Sequence, residues 1–224
     1  MFHNNIGEIH IITGTMCCGK STELLRRGER HTYVGRKVVY INHDLDKRSK
    51  ELYSTHSKLH KTENIQVNIK FTSASKLKDL LDTIEDKVDM IEDIKLEDFD
   101  VICIDEGQFF PDLKEMVTYL AEILGKCVLV AGLTNDFKRE KFGQILDLEP
   151  ISDSFTKLCA LCKYCSWEKK AVNAIFSHRL IRKLDSSSDE EQIKVGGMED
   201  YVPLCRKCYL IANKKTKKTK ISNK

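Results

Sequence analysis

The chain has 224 residues, of which 41% are hydrophobic and 32% are charged, and its formal net charge is +3. This composition is typical of a globular protein with a buried core, and the small net charge gives no reason to expect a stable nucleic-acid partner. No apolar run approaches the roughly 18 residues of a membrane-spanning helix, so no membrane partner is expected. The first residues lack the basic region and the cleavage site of a signal peptide.

Strand-like and helical segments alternate through the first two-thirds of the chain. Strands are predicted at 7–13, 37–42, 66–71, 99–104 and 127–131, and helices at 21–34, 76–90 and 113–124. The polar segment 43–60 has no periodicity and is predicted to be a loop. Such alternation indicates the α/β class, with a parallel sheet that is covered by helices on both faces.

The first strand–helix junction carries the motif G-x-x-x-x-G-K-[ST]. Its glycines allow backbone N–H groups to surround phosphate oxygens, and the helix N-terminus adds a positive dipole. Lys20 is placed to reach the β- and γ-phosphates, and the Ser21 hydroxyl to hold Mg²⁺. The alternative is a strand-to-helix turn that binds nothing. The motif predicts a P-loop for ATP or another nucleoside triphosphate, made by Gly14, Thr15, Met16, Cys17, Cys18, Gly19, Lys20 and Ser21.

An acidic pair, Asp105 and Glu106, follows the apolar strand at 99–104. Ligands of open α/β sheets gather at the carboxyl ends of the strands, where the P-loop also lies. Asp105 is therefore predicted to reach Mg²⁺ beside Ser21, which leaves Glu106 free as a base toward an acceptor hydroxyl or a water. An acidic turn that merely ends the strand is the alternative.

Four of the nine cysteines form two C-x-x-C pairs, Cys162 with Cys165 and Cys205 with Cys208. Four thiolates complete a tetrahedral Zn²⁺ site without an open position, so a structural zinc is predicted. A thioredoxin-like redox role would need only one pair. Cysteines used in this way indicate a reducing compartment, and a cytoplasmic location is expected. Cys103 and Cys127 lie in predicted core strands and are interpreted as inert apolar residues.

The alternation of strands and helices ends at Pro150, where cysteine pairs and short strand-like pieces begin. We predict a P-loop α/β nucleotide-binding domain at 1–150 and a small, β-rich zinc-binding domain with a lasso loop at 151–211. The lysine-rich end, 212–224, is predicted to be a disordered tail. A localisation signal or a nucleic-acid contact is the alternative for this tail.

Together these motifs resemble the type II thymidine kinases, a family of zinc-containing deoxynucleoside kinases. The resemblance covers about 7–209 and is carried by GTMCCGKSTELLRR, IDEGQFFPDL, the four cysteines and GGMEDYVPLCRKCY. It implies transfer of the ATP γ-phosphate to the 5′-hydroxyl of thymidine, which supplies DNA precursors. Glu106 matches the family's catalytic base. The resemblance places at the phosphates Asp105, Gly107 and Gln108, and also the segment Asp46, Lys47 and Arg48.

The resemblance also implies a set of residues for the nucleoside. Phe137 matches an aromatic residue that contacts the base, Met16 and Leu133 match an apolar pocket, and Tyr201 lies beside the nucleoside. The lasso that closes over thymine corresponds to Gln192, Ile193, Lys194, Val195 and Gly196. The family is homotetrameric, uses Mg²⁺ and is inhibited by thymidine triphosphate (dTTP), and the same behaviour is expected here.

Two other functions are consistent with some of these motifs. A nucleic-acid-stimulated P-loop ATPase with a zinc module would use Glu106 to orient water, but the body of the chain is not basic. A zinc-stabilised binding module with a vestigial P-loop would not explain why Lys20, Ser21, Asp105 and Glu106 are all present.

Overall fold

The computed structural model describes residues 6–45, 69–81, 95–180 and 200–221, with side chains described as far as residue 214. The chain forms two compact units. The first unit contains Met1–Thr13, Lys20–Thr134 and Phe142–Lys157, and the second contains Gly14–Gly19, Asn135–Lys141 and Leu158–Lys224. The domain boundaries predicted from the sequence, at residues 150 and 211, stay a prediction.

The first unit is built on a six-stranded sheet. Its strands are β1 (Glu8–Gly14), β2 (Val38–His43), β3 (Ile69–Ala74), β4 (Val101–Ile104), β5 (Cys127–Gly132) and β6 (Ser154–Leu158). Its α-helices are α1 (Lys20–Thr32) and α2 (Leu113–Thr118), and short 3-10 helices lie at Lys78–Leu80, Leu96–Asp98, Gly107–Phe109 and Ile145–Ile151. The predicted helix 76–90 lies mostly outside the described residues.

The strand order across the sheet is β3-β2-β4-β5-β1-β6. The pairs β2–β3, β2–β4, β4–β5 and β1–β5 are all parallel. Parallel strands need crossover connections, and the connections place helices on the faces of the sheet. The predicted α/β class is therefore confirmed.

Alternate residues of each strand face opposite helices. Val39, Ile41 and Ile102 belong to one buried cluster, which also contains Leu113 and Val117 of α2. On the other face, Gly28 of α1 packs against Val38 and Cys103. Both faces of the central strands are covered, which explains why β2, β4 and β5 are continuous apolar runs and do not alternate.

The helix predicted at 113–124 changes its winding in the middle. The α-helix α2 ends at Thr118 and a π-helical segment continues over Tyr119–Ile123. Met116 and Leu120 remain buried, so the apolar face persists through the change. Gly125 follows with a φ of 62°, as expected for a residue that ends a helix.

In its described residues, the second unit contains short antiparallel strands and two helices. Its elements are β7 (Ala160–Leu161), α3 (Lys163–Ser166), β8 (Asn173–Ala174), β9 (Phe176–Arg179), β10 (Tyr201–Leu204) and α4 (Arg206–Ile221). β7 pairs with β8, and β9 pairs with β10. α4 extends into the segment 212–224, whose disorder stays a prediction. None of the helices in the described ranges has the length and the apolar character that a membrane span requires.

Candidate functional site

Asp105 lies directly after β4 and is held by three hydrogen-bond donors. The Tyr40 hydroxyl donates to its carboxylate at 2.6 Å, and the Glu106 backbone N–H donates at 2.9 Å. The Ser21 hydroxyl, on the first turn of α1, also donates to it. Burial and the neighbouring Glu106 charge raise the pKa of Asp105, while the hydrogen bonds from Tyr40 and Ser21 lower it. The two residues predicted to hold Mg²⁺ are therefore in contact.

Glu106, the second residue of the acidic pair, has an unusual backbone conformation. Its φ of 50° and ψ of 39° place it in the left-handed region, which non-glycine residues rarely adopt. Such conformations concentrate at functional sites, where the surrounding structure holds them in place. The two adjacent carboxylates consequently have different partners, as separate roles require.

Gln108 fixes the side chain of Glu106. The Gln108 amide N–H donates to the Glu106 carboxylate at 2.6 Å. The Gln108 amide oxygen accepts from the backbone N–H of Leu133 at 2.8 Å, which settles the direction in which the amide points. Both Glu106 and Gln108 are buried. The structure thus adds an anchoring contact to the predicted phosphate-site role of Gln108.

Gly143 passes close behind this anchor. It has a φ of 60°, and a Cβ there would lie 2.3 Å from the backbone oxygen of Gln108. We expect Gly143→Ala to destabilise the protein by about 1–2 kcal/mol through its backbone conformation and by about 1–3 kcal/mol more through overpacking. We also expect a lower kcat, since Gln108 would move with Glu106.

The matched control for this prediction is Gly35→Ala. Gly35 has a similar φ of 78°, but a Cβ there would meet nothing within 4 Å. In urea unfolding, Gly143→Ala should therefore lose more free energy of unfolding than Gly35→Ala does. Only Gly143→Ala should have a lower kcat. Equal losses of stability and an unchanged kcat in both variants would contradict a role for the close packing on Gln108.

Residues 14–19 of the predicted P-loop join β1 to α1, and Lys20 is the first residue of the helix. Gly19 has a φ of 86° and Cys17 a φ of 61°, so two loop residues adopt the left-handed conformation. Successive changes of this kind are typical of loops that turn their N–H groups toward an anion. Within the second unit, the Met16 backbone N–H donates to the Ser177 hydroxyl at 3.1 Å.

Phe137 lies on a tight loop that Asp136 organises. The Asp136 carboxylate accepts from the backbone N–H groups of Lys138 and Glu140, at 2.8 and 2.9 Å. The backbone oxygen of Phe137 accepts from the Tyr209 hydroxyl at 2.8 Å. The loop therefore presents the Phe137 ring from a rigid support.

Tyr201 and Arg179 surround that ring. The ring centroids of Phe137 and Tyr201 are 6.4 Å apart, and the Arg179 guanidinium carbon lies 5.4 Å from the centroid of Phe137. Tyr201 and Arg179 are partners in the β9–β10 register. Burial raises the pKa of the Tyr201 hydroxyl, which therefore stays protonated at neutral pH.

The four paired cysteines converge in the second unit. All four Sγ atoms lie within 4.8 Å of one another. Cys165 Sγ is 3.9 Å from Cys205 Sγ and 3.7 Å from Cys208 Sγ. A tetrahedral zinc ion with Zn–S bonds of about 2.3 Å holds its sulfurs about 3.8 Å apart, so the donor set fits zinc. Burial opposes ionisation of Cys162, but backbone hydrogen bonds from Cys205 and Cys165 lower its pKa to about 7.

Several predicted site residues lie outside the described part of the chain. These are Asp46, Lys47, Arg48, Gln192, Ile193, Lys194, Val195 and Gly196. The structure also reveals contacts that the sequence did not indicate. Tyr40 lies within an apolar strand and resembles its core neighbours, and Arg179 belongs to none of the motifs. The sequence around each residue therefore gives no sign of a role in the site.

The strand–loop–helix element with its paired Ser21 and Asp105 defines an α/β protein of the P-loop class. A family model described as thymidine kinase matches residues 7–209. Thymidine kinases of Variola virus (isolate Human/India/Ind3/1967) and Vaccinia virus (strain Western Reserve) are each 39% identical to the chain over 207 residues, which is 92% of this chain and 98% of the relative. The thymidine kinase of Monkeypox virus (strain Zaire-96-I-16) is 38% identical over 206 residues, with the same coverage.

The chain belongs to the thymidine kinase family. It is accordingly a phosphotransferase, and the alternative of a nucleic-acid-stimulated ATPase is not favoured.

Proposed function

We propose that this protein transfers the γ-phosphate of ATP to the 5′-hydroxyl of thymidine and yields thymidine monophosphate for DNA synthesis. The observation that carries the proposal is that two adjacent carboxylates, Asp105 and Glu106, have different hydrogen-bond partners. Asp105 contacts Ser21 of the phosphate motif, whereas Glu106 accepts a hydrogen bond from Gln108. A kinase needs one carboxylate for the metal and another for the acceptor.

Ser21 and Asp105 would hold Mg²⁺, which neutralises charge on the transferred phosphoryl group when it is bound. Their direct hydrogen bond and the buried position of Asp105 support this assignment. We assign Gly14, Thr15, Met16, Cys17, Cys18, Gly19 and Lys20 to the phosphates. The resemblance adds Asp46, Lys47, Arg48, Gly107 and Gln108 to that set.

Glu106 would accept the proton of the 5′-hydroxyl as the oxygen attacks the γ-phosphorus. A general base must lie within hydrogen-bond reach of the proton that it accepts, so its side chain has to be held in one position. The hydrogen bond from Gln108, itself anchored on the Leu133 backbone, supplies that constraint.

The nucleoside residues are proposed from the resemblance. They are Met16, Leu133, Phe137, Tyr201 and the lasso Gln192, Ile193, Lys194, Val195 and Gly196. The rigid mounting of Phe137 next to Tyr201 supports an aromatic surface of the kind that stacks on a nucleobase. Closure of a lasso would exclude water, which otherwise competes with the acceptor for the phosphoryl group.

We further propose a structural zinc on Cys162, Cys165, Cys205 and Cys208, feedback inhibition by dTTP, and a homotetramer. A cytoplasmic location is proposed because reducing conditions keep the four cysteines available as zinc ligands. The domain division at residues 150 and 211 and the disordered tail at 212–224 belong to the same proposal.

A radiolabel transfer assay tests the proposed reaction. With γ-labelled ATP and Mg²⁺, labelled thymidine monophosphate should form only when thymidine is present. Deoxyuridine and deoxycytidine in parallel reactions would define the base preference. Turnover of ATP that requires DNA or RNA, and proceeds without a nucleoside, would overturn the proposal in favour of the ATPase.

Replacing Tyr40 by Phe should shift the pH profile of the reaction. The Tyr40 hydroxyl donates to Asp105 and lowers its pKa, so Tyr40→Phe should raise that pKa further. Asp105 has to be ionised to hold Mg²⁺, and activity falls as the pH drops through its pKa. The acidic limb of kcat/KM against pH should therefore move to higher pH.

Tyr119→Phe is the matched control, since Tyr119 is a partly exposed tyrosine on the π-helical segment. Its profile should coincide with that of the wild type. An acidic limb in Tyr40→Phe that stays in place, or moves to lower pH, would refute the role given to this hydrogen bond.

A further inference from the structure

Three potential metal ligands meet at the amino-terminal ends of β1 and β5. Glu8 pairs with Cys127 in the parallel register, and His10 lies two residues further along β1. Residues that are directly paired, or two apart on one strand, point to the same face of a sheet. This places Glu8, His10 and Cys127 together on the face that α1 covers. Cys127 pairs with Val101 of β4, which precedes Asp105 by four residues.

The ligand atoms of these three residues are close enough to share one ion. A carboxylate oxygen of Glu8, a ring nitrogen of His10 and Sγ of Cys127 all lie within 4.8 Å of one another. His10 Nε2 is 3.1 Å from Glu8 Oε2. Around a tetrahedral zinc ion, such N, O and S ligands lie about 3.3–3.6 Å apart. The histidine–carboxylate pair therefore already has a separation near the one that zinc requires.

Neighbouring side chains orient two of the groups. The Ser154 hydroxyl lies 2.8 Å from His10 Nδ1 and can accept a hydrogen bond from Nδ1–H. In that tautomer Nε2 keeps its electron pair for a metal, on the side of Glu8. His31 Nδ1 lies 3.1 Å from the Arg36 guanidinium, which can only donate, so His31 Nε2–H faces Cys127 Sγ at 4.0 Å.

We propose that Glu8, His10 and Cys127 form a second zinc site, with Ser154 and His31 as its outer shell. The mixture of thiolate, imidazole and carboxylate favours zinc over Mg²⁺ or Ca²⁺, which prefer oxygen ligands. The side chains of Glu8 and His10 are 59% and 25% exposed, so an ion can enter from solvent. The site would join β1 and β5 at the end of the sheet opposite Asp105 and Glu106. Cys127 would then be a ligand, not the inert core residue that its strand position indicates.

Cobalt titration of the full-length protein, with the four-cysteine centre loaded with zinc, tests the site without reference to activity. Zinc binds such thiolate centres more tightly than cobalt, so added Co²⁺ reports on another site. One further equivalent of Co²⁺ should bind, with a thiolate-to-cobalt charge-transfer band in the near ultraviolet. The band should disappear in Cys127→Ala and in His10→Ala.

Two graded variants and one control sharpen the test. Ser154→Ala should weaken Co²⁺ binding by about 10- to 100-fold, as is typical of outer-shell partners, and Glu8→Gln should weaken it by at least as much. Glu8 is exposed, so its replacement should leave the fold intact. Cys103→Ala removes another buried thiol from the same face and should keep the band. Absence of an extra cobalt equivalent in the wild type, or a band that survives in Cys127→Ala, would overturn the proposal.

Discussion

Replacing Glu106 by Gln is expected to lower kcat by about 100- to 10,000-fold, which is the usual contribution of a general base. This corresponds to about 2.7–5.4 kcal/mol of transition-state stabilisation. The glutamine oxygen can still accept the hydrogen bond from Gln108, so the side chain should keep its position while it loses its basicity. Ser21 and Asp105 are unchanged, and the affinity for ATP should therefore stay close to that of the wild type.

The rate of phosphoryl transfer is measured in a single-turnover reaction with labelled ATP and thymidine. The affinity for ATP is measured by equilibrium binding of an ATP analogue. Glu115→Gln is the matched control, because it makes the same chemical change at an exposed position on the first turn of α2. It should leave both quantities unchanged. If Glu106→Gln kept more than about a tenth of the wild-type kcat, the range expected of a general base would not be met and another group would have to accept the proton.

Loss of one zinc ligand should have the largest effect on stability. In Cys208→Ser we expect the zinc of the four-cysteine centre to be lost and the second unit to unfold. Structural zinc contributes about 10–16 kcal/mol of binding free energy, which matches or exceeds the whole stability of a typical domain. Among the described residues of this unit, the apolar cluster is small and includes Cys162 and Cys205, two of the proposed ligands. Without the metal, little apolar packing would remain to replace it.

Zinc content per chain and the thermal unfolding curve check this prediction. Cys159→Ser provides the control, since Cys159 is an exposed cysteine in the same unit that belongs to neither pair. That variant should retain zinc and melt as the wild type does. A Cys208→Ser protein with a full complement of zinc and an unchanged transition would exclude the four-cysteine centre.

Strands β2, β4 and β5 were predictable from the sequence because they are buried on both faces and therefore continuously apolar. Strand β6 was not predicted as part of this sheet, and most of its residues are only partly buried. The limits of the strands were less predictable. The third strand was expected at 66–71, of which 66–68 lie outside the described residues. β3 continues to Ala74, because its end follows its pairing with Val38–His43 of β2. The helix at 113–124 was correctly located, while its π-helical second half has no signature in the spacing of the apolar residues.

In the candidate site, too, some features were predictable from the sequence and others were not. Motifs with fixed spacing, such as the phosphate loop and the two cysteine pairs, identify their chemistry locally, because each needs several donors from one short segment. The contact between Ser21 and Asp105 could be expected from the order of strands and helices. The hydrogen bond from Tyr40 could not, since it depends on which residue of β2 stands beside the end of β4.

By itself, the sequence determined the class of fold, the phosphate motif, the acidic pair and the four-cysteine centre, because these are encoded by neighbouring residues and by short-range periodicity. Only the tertiary structure decided the left-handed conformation of Glu106, the anchoring of Gln108 and the meeting of Glu8 and His10 with Cys127. These features depend on the order and register of strands that are far apart in the chain. Pairing energies over the whole sheet set that register, and no local pattern records it.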